Sequence, residues 1–289
     1  MGLGSAVWRT ARPKQWTKNV LVLAAPLAAA RLLDPGVLLA TGLAFVAFCL
    51  MSSAVYHLND VADREADRLH PRKCRRPIAA GELSVRSACV VSGVLALVAV
   101  GVGWLADPDL AVLLVVYAAS QVLYTFWLKH EPVLDLTLVA LGFLMRAVAG
   151  GLAAGLPISQ WFLLVAGFGS LFMVAGKRYS ELRTLGSDVG TRRSLVRYTE
   201  TYLRFVWSMA AAATVMSYSL WALEASHGRS EPWHMVSIGA FVLGLLRYAV
   251  DIDAGAAAEP EDIVLGDRIL QAIGVLWIVL LGLGILSVS

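Results

Sequence analysis

Val37-Leu-Leu-Ala-Thr-Gly-Leu-Ala-Phe-Val-Ala-Phe-Cys-Leu-Met-Ser-Ser-Ala-Val-Tyr56 runs without a break into His57-Leu-Asn-Asp-Val-Ala-Asp-Arg-Glu-Ala-Asp67. The first stretch carries no charge. A helix rises about 1.5 Å per residue, so a run of about 20 such residues crosses the hydrocarbon core of a bilayer. Its apolar residues are continuous rather than alternating, which predicts a helix and not a barrel strand. The second stretch turns polar at once and puts its carboxylates at a membrane boundary.

Outward from this stretch the pattern repeats. The chain has 289 residues, of which 58% are hydrophobic and 16% charged. Soluble domains are usually about 45–50% apolar and about 25% charged, so both figures lean towards a bilayer. Apolar runs predict about nine transmembrane helices, at roughly 18–34, 37–56, 84–106, 109–128, 132–154, 158–176, 202–225, 233–250 and 268–288. The fold class is therefore all-α and polytopic, with residues 1–289 as a single membrane-embedded domain. The first span is the weakest, because its apolar core covers only Val20 to Ala30 and its start carries Lys18 and Asn19. No small-residue cleavage site marks it as a signal peptide. There is no internal repeat.

Basic residues set the orientation. With the N-terminus in the cytoplasm, the inner segments hold Arg9, Arg12, Lys14 and Lys18, then Arg64 through Arg86, Lys129, Lys177 through Arg204, Arg247 and Arg268. The outer segments hold Arg31 and Arg229. Two inner loops are long, 57–83 and 177–201, and long polar loops on one face carry function. A multi-pass protein of the cell membrane with a cytoplasmic site is expected. The net charge of +3 hides a basic inner face, which suits the positive-inside rule and also an anionic substrate. So apolar a chain makes nucleic acid an unsuitable partner. Cys49, Cys74 and Cys89 show no metal spacing and read as small packing residues.

On a helix each residue turns about 100°. Asn59, Asp63 and Asp67 then follow one another at about 40°, and Asp60 lies about 60° beyond Asp63. Tyr56 falls on the same stripe, while Arg64 and Glu65 point elsewhere. Clustered carboxylates repel one another unless a cation intervenes, and hard oxygen ligands suit Mg²⁺ together with substrate phosphates. Next comes His70-Pro-Arg-Lys-Cys-Arg-Arg-Pro-Ile-Ala-Ala-Gly81, with Arg72, Lys73, Arg75 and Arg76 between two prolines. A metal-binding face followed by a basic loop suits a diphosphate.

Asn59-Asp60-x-x-Asp63-x-x-x-Asp67 before a loop ending Arg76-Pro77-Ile78 resembles the first aspartate-rich motif of the UbiA superfamily of intramembrane prenyltransferases. The resemblance covers essentially the whole chain. It implies a nine-helix bundle with a cytoplasmic polar cap over a lipid-accessible cavity. Typical members carry a second aspartate-rich run after helix six. Here the corresponding stretch is Gly176-Lys177-Arg178-Tyr179-Ser180-Glu181-Leu182, with Asp188 the other nearby acid. Basic groups in place of carboxylates imply a donor with an additional phosphate. With Arg12-Pro-Lys-Gln-Trp-Thr-Lys-Asn19 and Arg197-Tyr-Thr-Glu-Thr-Tyr-Leu-Arg-Phe205, the pattern is similar to one branch. Its members move 5-phosphoribose from phosphoribosyl diphosphate to a polyprenyl phosphate for cell-wall arabinan (arabinogalactan).

The resemblance implies roles residue by residue. Asp60, Asp63 and Asp67 are the catalytic carboxylates, with Asn59 and Asp63 as Mg²⁺ ligands. Tyr56, Lys73 and Arg76 contact the donor. Lys18 and Asn19 reach phosphate from the edge of helix one. Lys177, Arg178 and Tyr179 are candidates for the ribose 5-phosphate or the lipid phosphate, the alternative being that Lys177 and Arg178 simply pair with Glu181. Lys129 is a substrate contact or an interfacial anchor. Arg146 lies inside a span, where an arginine is costly. It either meets an anionic substrate or pairs with a carboxylate. Gly150, Gly151 and Gly155 read as close-packing positions. The implied partners are phosphoribosyl diphosphate, a polyprenyl phosphate and the membrane, with room for a homo-oligomer. Two other readings stand beside this one: an aromatic prenyltransferase of the same superfamily, and a transporter.

Overall fold

The structure is a computed structural model that describes residues 2–185, 195, 197–226 and 232–286. Asp188 and Arg229 lie outside the described residues. The helices are α1 (Leu3–Ala11), α2 (Ala24–Ala28), α3 (Pro35–Ala62), α4 (Arg64–Leu69), α5 (Val85–Ala106), α6 (Pro108–Phe126), α7 (Leu134–Ala153), α8 (Gln160–Leu185), α9 (Glu200–Ser226), α10 (Trp233–Asp253), α11 (Pro260–Gly266) and α12 (Arg268–Leu286). There is no strand among the described residues. Seven helices among them, α3 and α5 to α10, are long and apolar enough to cross a membrane, and α12 adds a shorter apolar stretch. Leu97 and Leu105 of α5 are 76% and 77% exposed. Surface leucines of that kind match lipid and would be a liability in water.

The later expected spans each fall on one helix, but the first does not. Residues 18–34 begin in a 3-10 helix (Pro13–Leu23) and continue into the five-residue α2. Pro26 explains part of this: it has no N–H to give the Val22 carbonyl, so an α-helical bond is missing there. The α8 helix overruns its expected end. Lys177 and Arg178 both pair with Glu181 (3.8 and 2.7 Å), and such one-turn pairs prolong a helix into a polar segment.

The chain forms two compact units. The first comprises residues 1–129 and 142–158. Its centre is α3, which packs on α5, α6 and the 3-10 helix. Ala44, Ala47, Phe48, Met51 and Ala54 of α3 are buried, with Ala88 and Ala99 of α5 and Leu110 and Leu114 of α6. A smaller cluster of Ala6, Ile78, Leu83 and Ala88 ties α1 to the loop before α5. The α5 and α6 helices start on side-chain caps. Ser84 accepts from the Ser87 N–H at 3.0 Å, and Asp107 from the Asp109 N–H at 2.7 Å. Gly150 allows α7 to approach the proline-broken segment, where a Cβ would stand 1.9 Å from the Val22 carbonyl oxygen.

The second unit comprises residues 130–141 and 159–289. Within it α8 packs on α9, α9 on α10, and α10 on α12. Phe172 of α8 meets Trp207 and Tyr248 edge-on, at centroid distances of 6.4 and 5.8 Å. A Cβ at Gly176 would stand 2.4 Å from Ile252, so this glycine sets the closeness of α8 and α10.

Candidate active site

The polar stretch that follows the apolar run of α3 divides at Asp63. There the α-helix is interrupted (φ −91°, ψ 4°) before α4. The one-turn bonds continue across the break, from Asp63 N–H to the Asn59 carbonyl (2.9 Å) and from Asp67 N–H to the Asp63 carbonyl (2.8 Å). The predicted stripe therefore survives, but its polar groups divide into two pairs with different partners.

Asp60 and Asp67 make one pair, both buried at 2% and 3% exposure. The Arg76 guanidinium bridges them, at 3.1 Å to Asp60 and 2.6 Å to Asp67. Arg12 also donates to Asp60, on the same Oδ1 that Arg76 uses. The Arg12 guanidinium lies 5.0 Å above the ring of Tyr56, a cation–π contact. Asn59 and Asp63 make the other pair. Asn59 accepts from Thr125, and Asp63 from Lys129. On the helical wheel Asp60 and Asp67 are only about 20° apart, as are Asn59 and Asp63 at about 40°. This angular grouping explains the division. Arg64 and Glu65 face away and bond to each other at 2.9 Å, and Arg64 holds the Glu65 carboxyl below its ordinary range. Lys73 lies part-buried on the short 3-10 turn Lys73–Arg75, beside the bridging arginine.

A second group in the same unit surrounds Arg146, which is buried. Its Nε donates to Asn19 Oδ1, Nη1 to the Gly142 carbonyl and Nη2 to the Tyr117 hydroxyl, each at 2.8 Å. These partners are neutral, so Arg146 makes no ion pair with a described carboxylate. The expected choice between substrate and carboxylate is thus narrowed to a cation held by neutral oxygens. Asn19 is oriented from its other end, where its amide nitrogen donates to Ser52 Oγ and Cys49 Sγ, both at 3.3 Å. Lys18 is part-buried on the 3-10 helix next to it.

In the second unit Arg178 is buried between Glu181 (2.7 Å) and Asp135 (3.6 Å). Asp135 also accepts from the Tyr198 hydroxyl, which itself accepts from the Val133 N–H at 2.7 Å. Burial, and then the bond to Asp135, raise the Tyr198 hydroxyl above its ordinary pKa. Lys177 reaches Glu259 at 3.4 Å as well as Glu181. Tyr179 donates to Asp253 at 3.3 Å and accepts from Arg204 at 2.7 Å.

The residues that sequence reasoning left out are Arg12, Thr125, Tyr117, Asp135 and Tyr198 as site-forming groups. Arg12 and Tyr198 stood in quoted basic stretches, and that proximity was the available signal. Thr125 and Tyr117 are helical residues whose partners lie far away in sequence.

A Mg²⁺ ion takes a few oxygen ligands from protein and the rest from phosphates and water. The donor set here is oxygen only, and Asp63 is 38% exposed in its side chain, so it is open to an arriving ion. Among the described residues no three His, Cys, Asp or Glu side chains converge as a ready-made cage.

Residues 20–265 match the UbiA prenyltransferase family. A decaprenyl-phosphate phosphoribosyltransferase of Mycobacterium tuberculosis is 50% identical, over 97% of this chain and 94% of its own. A protein of the same name from Mycolicibacterium smegmatis is 47% identical, over 98% of this chain and 93% of its own. Among solved structures, a UbiA homologue from Archaeoglobus fulgidus bound to GPP and Mg²⁺ superposes with a TM-score of 0.71, at 18% identity, over 98% of this chain and 99% of that one. At that identity the likeness speaks to the fold: a multi-pass helical membrane bundle. The chain belongs to the UbiA prenyltransferase family, where it groups with the decaprenyl-phosphate phosphoribosyltransferases.

Proposed function

We propose that this protein transfers 5-phosphoribose from phosphoribosyl diphosphate to a polyprenyl phosphate, releasing diphosphate, to supply a precursor of cell-wall arabinan. The observation that carries the reading is the meeting of Asn59, Asp60, Asp63 and Asp67 with Arg12, Arg76 and Lys129 at the end of α3. The relatives that are about half identical over nearly the whole chain carry this activity in their names. The protein works as one membrane-embedded transferase domain over residues 1–289, alone or as a homo-oligomer. It sits in the cell membrane with its N-terminus and this centre on the cytoplasmic side, where the water-soluble donor arrives.

The reaction breaks the bond between C1 of ribose and the diphosphate oxygen. The electron pair leaves with the diphosphate, and C1 gains oxocarbenium character. An oxygen of the lipid phosphate then bonds to C1. That oxygen is already anionic, so no general base is required. Asn59 and Asp63 would hold Mg²⁺, with Asp60 and Asp67 behind them, and the ion supplies neutralisation of the departing diphosphate. Arg76, through the nitrogens that do not bond Asp60 and Asp67, and Lys73 neutralise further phosphate oxygens, and Lys129 releases Asp63 as the donor is seated. Tyr56 supports the donor from the α3 stripe. Arg146, its charge unpaired by carboxylate, draws an anionic group towards Asn19 and Lys18. In the second unit Lys177 and Tyr179 are assigned to a phosphate, that of the ribose 5-position or that of the lipid, while Arg178, closed in by Glu181 and Asp135, holds its own segment. Positioning and electrostatic stabilisation then do most of the catalysis.

The test is transfer of ribose label from phosphoribosyl diphosphate into the lipid fraction by purified protein with decaprenyl phosphate and Mg²⁺. Wild type is expected to transfer and Asp63→Ala is not. Transfer of a prenyl group to an aromatic acceptor instead would keep the family and replace the substrates.

A further inference from the structure

We propose that Arg12, at the joint between α1 and the 3-10 helix, is a donor-binding residue that exchanges partners: it neutralises Asp60 in the ligand-free protein and moves to a donor phosphate when the diphosphate arrives. The inference rests on the phosphoribosyltransferase reading above.

Three observations carry it. The first is geometric. Arg12 has φ 53° and ψ 62°, the left-handed conformation that non-glycine residues rarely adopt. This places its guanidinium at Asp60 and over Tyr56. The segment before Arg12 is anchored to the loop that precedes α5. Arg9, one turn earlier, pairs with Glu82, and Ala6 packs against Ile78 and Leu83.

The second observation concerns the cost of leaving. Removing a partner from a buried carboxylate is usually expensive, because an uncompensated charge remains. Asp60 is buried, but Arg76 bonds to the same oxygen at 3.1 Å. When Arg12 departs, Asp60 keeps a guanidinium. Of the two guanidiniums on Asp60, Arg12 is therefore the one that can be given up, because Arg76 also holds Asp67.

The third observation is charge. Arg12 and Arg76 balance Asp60 and Asp67, and Lys129 balances Asp63. A divalent cation arriving at a centre already neutralised by cations meets no net attraction unless some of them turn elsewhere. A donor rich in phosphate gives them somewhere to turn. Arg12 is 28% exposed in its side chain, enough to reach an entering ligand without leaving its segment. Its planar fork matches phosphate oxygens. The α1 helix thereby acts as a clasp whose tip reads the donor while its body stays on the loop before α5.

The experiment measures binding of phosphoribosyl diphosphate to detergent-solubilised full-length protein, with Mg²⁺ present and no lipid acceptor, alongside thermal melting without ligand. Arg12→Gln is expected to weaken donor affinity about tenfold to a hundredfold, as loss of charge-assisted bonds does. KM for the polyprenyl phosphate is expected to stay within about twofold, because the lost contact is to the donor. Arg12→Gly removes the same cation while suiting the left-handed backbone, so it keeps the test alive if the glutamine variant folds poorly. A lowered melting temperature with unchanged donor affinity in either variant overturns the exchange and leaves Arg12 a brace for Asp60. If wild type itself fails to bind phosphoribosyl diphosphate, the functional reading falls and takes this proposal with it.

Discussion

Both units bury an aspartate beside arginine, yet the two arrangements differ in how they are closed. In the first unit Asp60, Asp63 and Asp67 are held by Arg12, Arg76 and Lys129, whose side chains remain 28%, 27% and 20% exposed. In the second, Asp135 is fully buried, Arg178 is 5% exposed in its side chain, and Tyr198 seals the group. Cations that reach solvent can change partners when a phosphate arrives. Cations sealed with their carboxylates cannot do so cheaply, because each leaves an uncompensated charge behind. The first arrangement is fitted for chemistry, and the second holds the end of α8 against the segment that leads into α9.

Substitutions should separate the two. Asp63→Ala is expected to cut turnover by about a thousandfold or more, as loss of a metal and transition-state ligand does. Its melting temperature should stay near wild type, since a part-exposed pair contributes about 1 kcal/mol or less. Near-normal turnover at saturating Mg²⁺ would remove Asp63 from the centre. Asp135→Ala should do the reverse. It strips a buried arginine of one of its two carboxylates and leaves the Tyr198 hydroxyl without its acceptor, and is expected to cost about 1–3 kcal/mol of stability, read by thermal melting in detergent. Its turnover per folded molecule should fall far less than that of Asp63→Ala. A stable but inactive Asp135→Ala would dissolve the contrast.

Gly150→Ala sharpens the comparison within the first unit. A methyl group aimed at the Val22 carbonyl is expected to destabilise by about 1–3 kcal/mol, with the donor KM unchanged. Tyr198→Phe is milder, at about 1 kcal/mol, and carries a pH signature. The raised pKa of Tyr198 means the folded chain holds this proton more tightly than the unfolded chain. That stability is complete below the ordinary tyrosine value of about 10 and is lost as pH climbs beyond it. Melting curves of Tyr198→Phe should therefore fall less steeply on the alkaline side. An unchanged alkaline slope would detach Tyr198 from Asp135. Lys177→Ala should be smallest in stability, at about 0.5 kcal/mol, with a few-fold weaker donor affinity if Lys177 meets phosphate.

Much of this was legible from residues alone because bilayers and helices impose simple rules. Continuous apolar runs predicted α3 and α5 to α10, and the turn angle of a helix placed Asn59, Asp63 and Asp67 on one stripe. The first span was harder to read. Composition alone does not show that Pro26 leaves the Val22 carbonyl without its helical donor, with Gly150 lying close against that carbonyl. The site was legible where ligands lie within a turn or two of one another. It was not legible where partners come from distant segments, as with Arg12 on Asp60, Thr125 on Asn59 and Tyr117 on Arg146. The pairing of Arg178 with Asp135 was hidden for the same reason.

The most direct measurement is the ratio of diphosphate released to ribose label found in lipid, using wild type with phosphoribosyl diphosphate, decaprenyl phosphate and Mg²⁺. The account predicts one diphosphate for each lipid-linked phosphoribose. Label that stays in the aqueous fraction, while a prenyl diphosphate supplied in its place reacts with an aromatic acceptor, would contradict it.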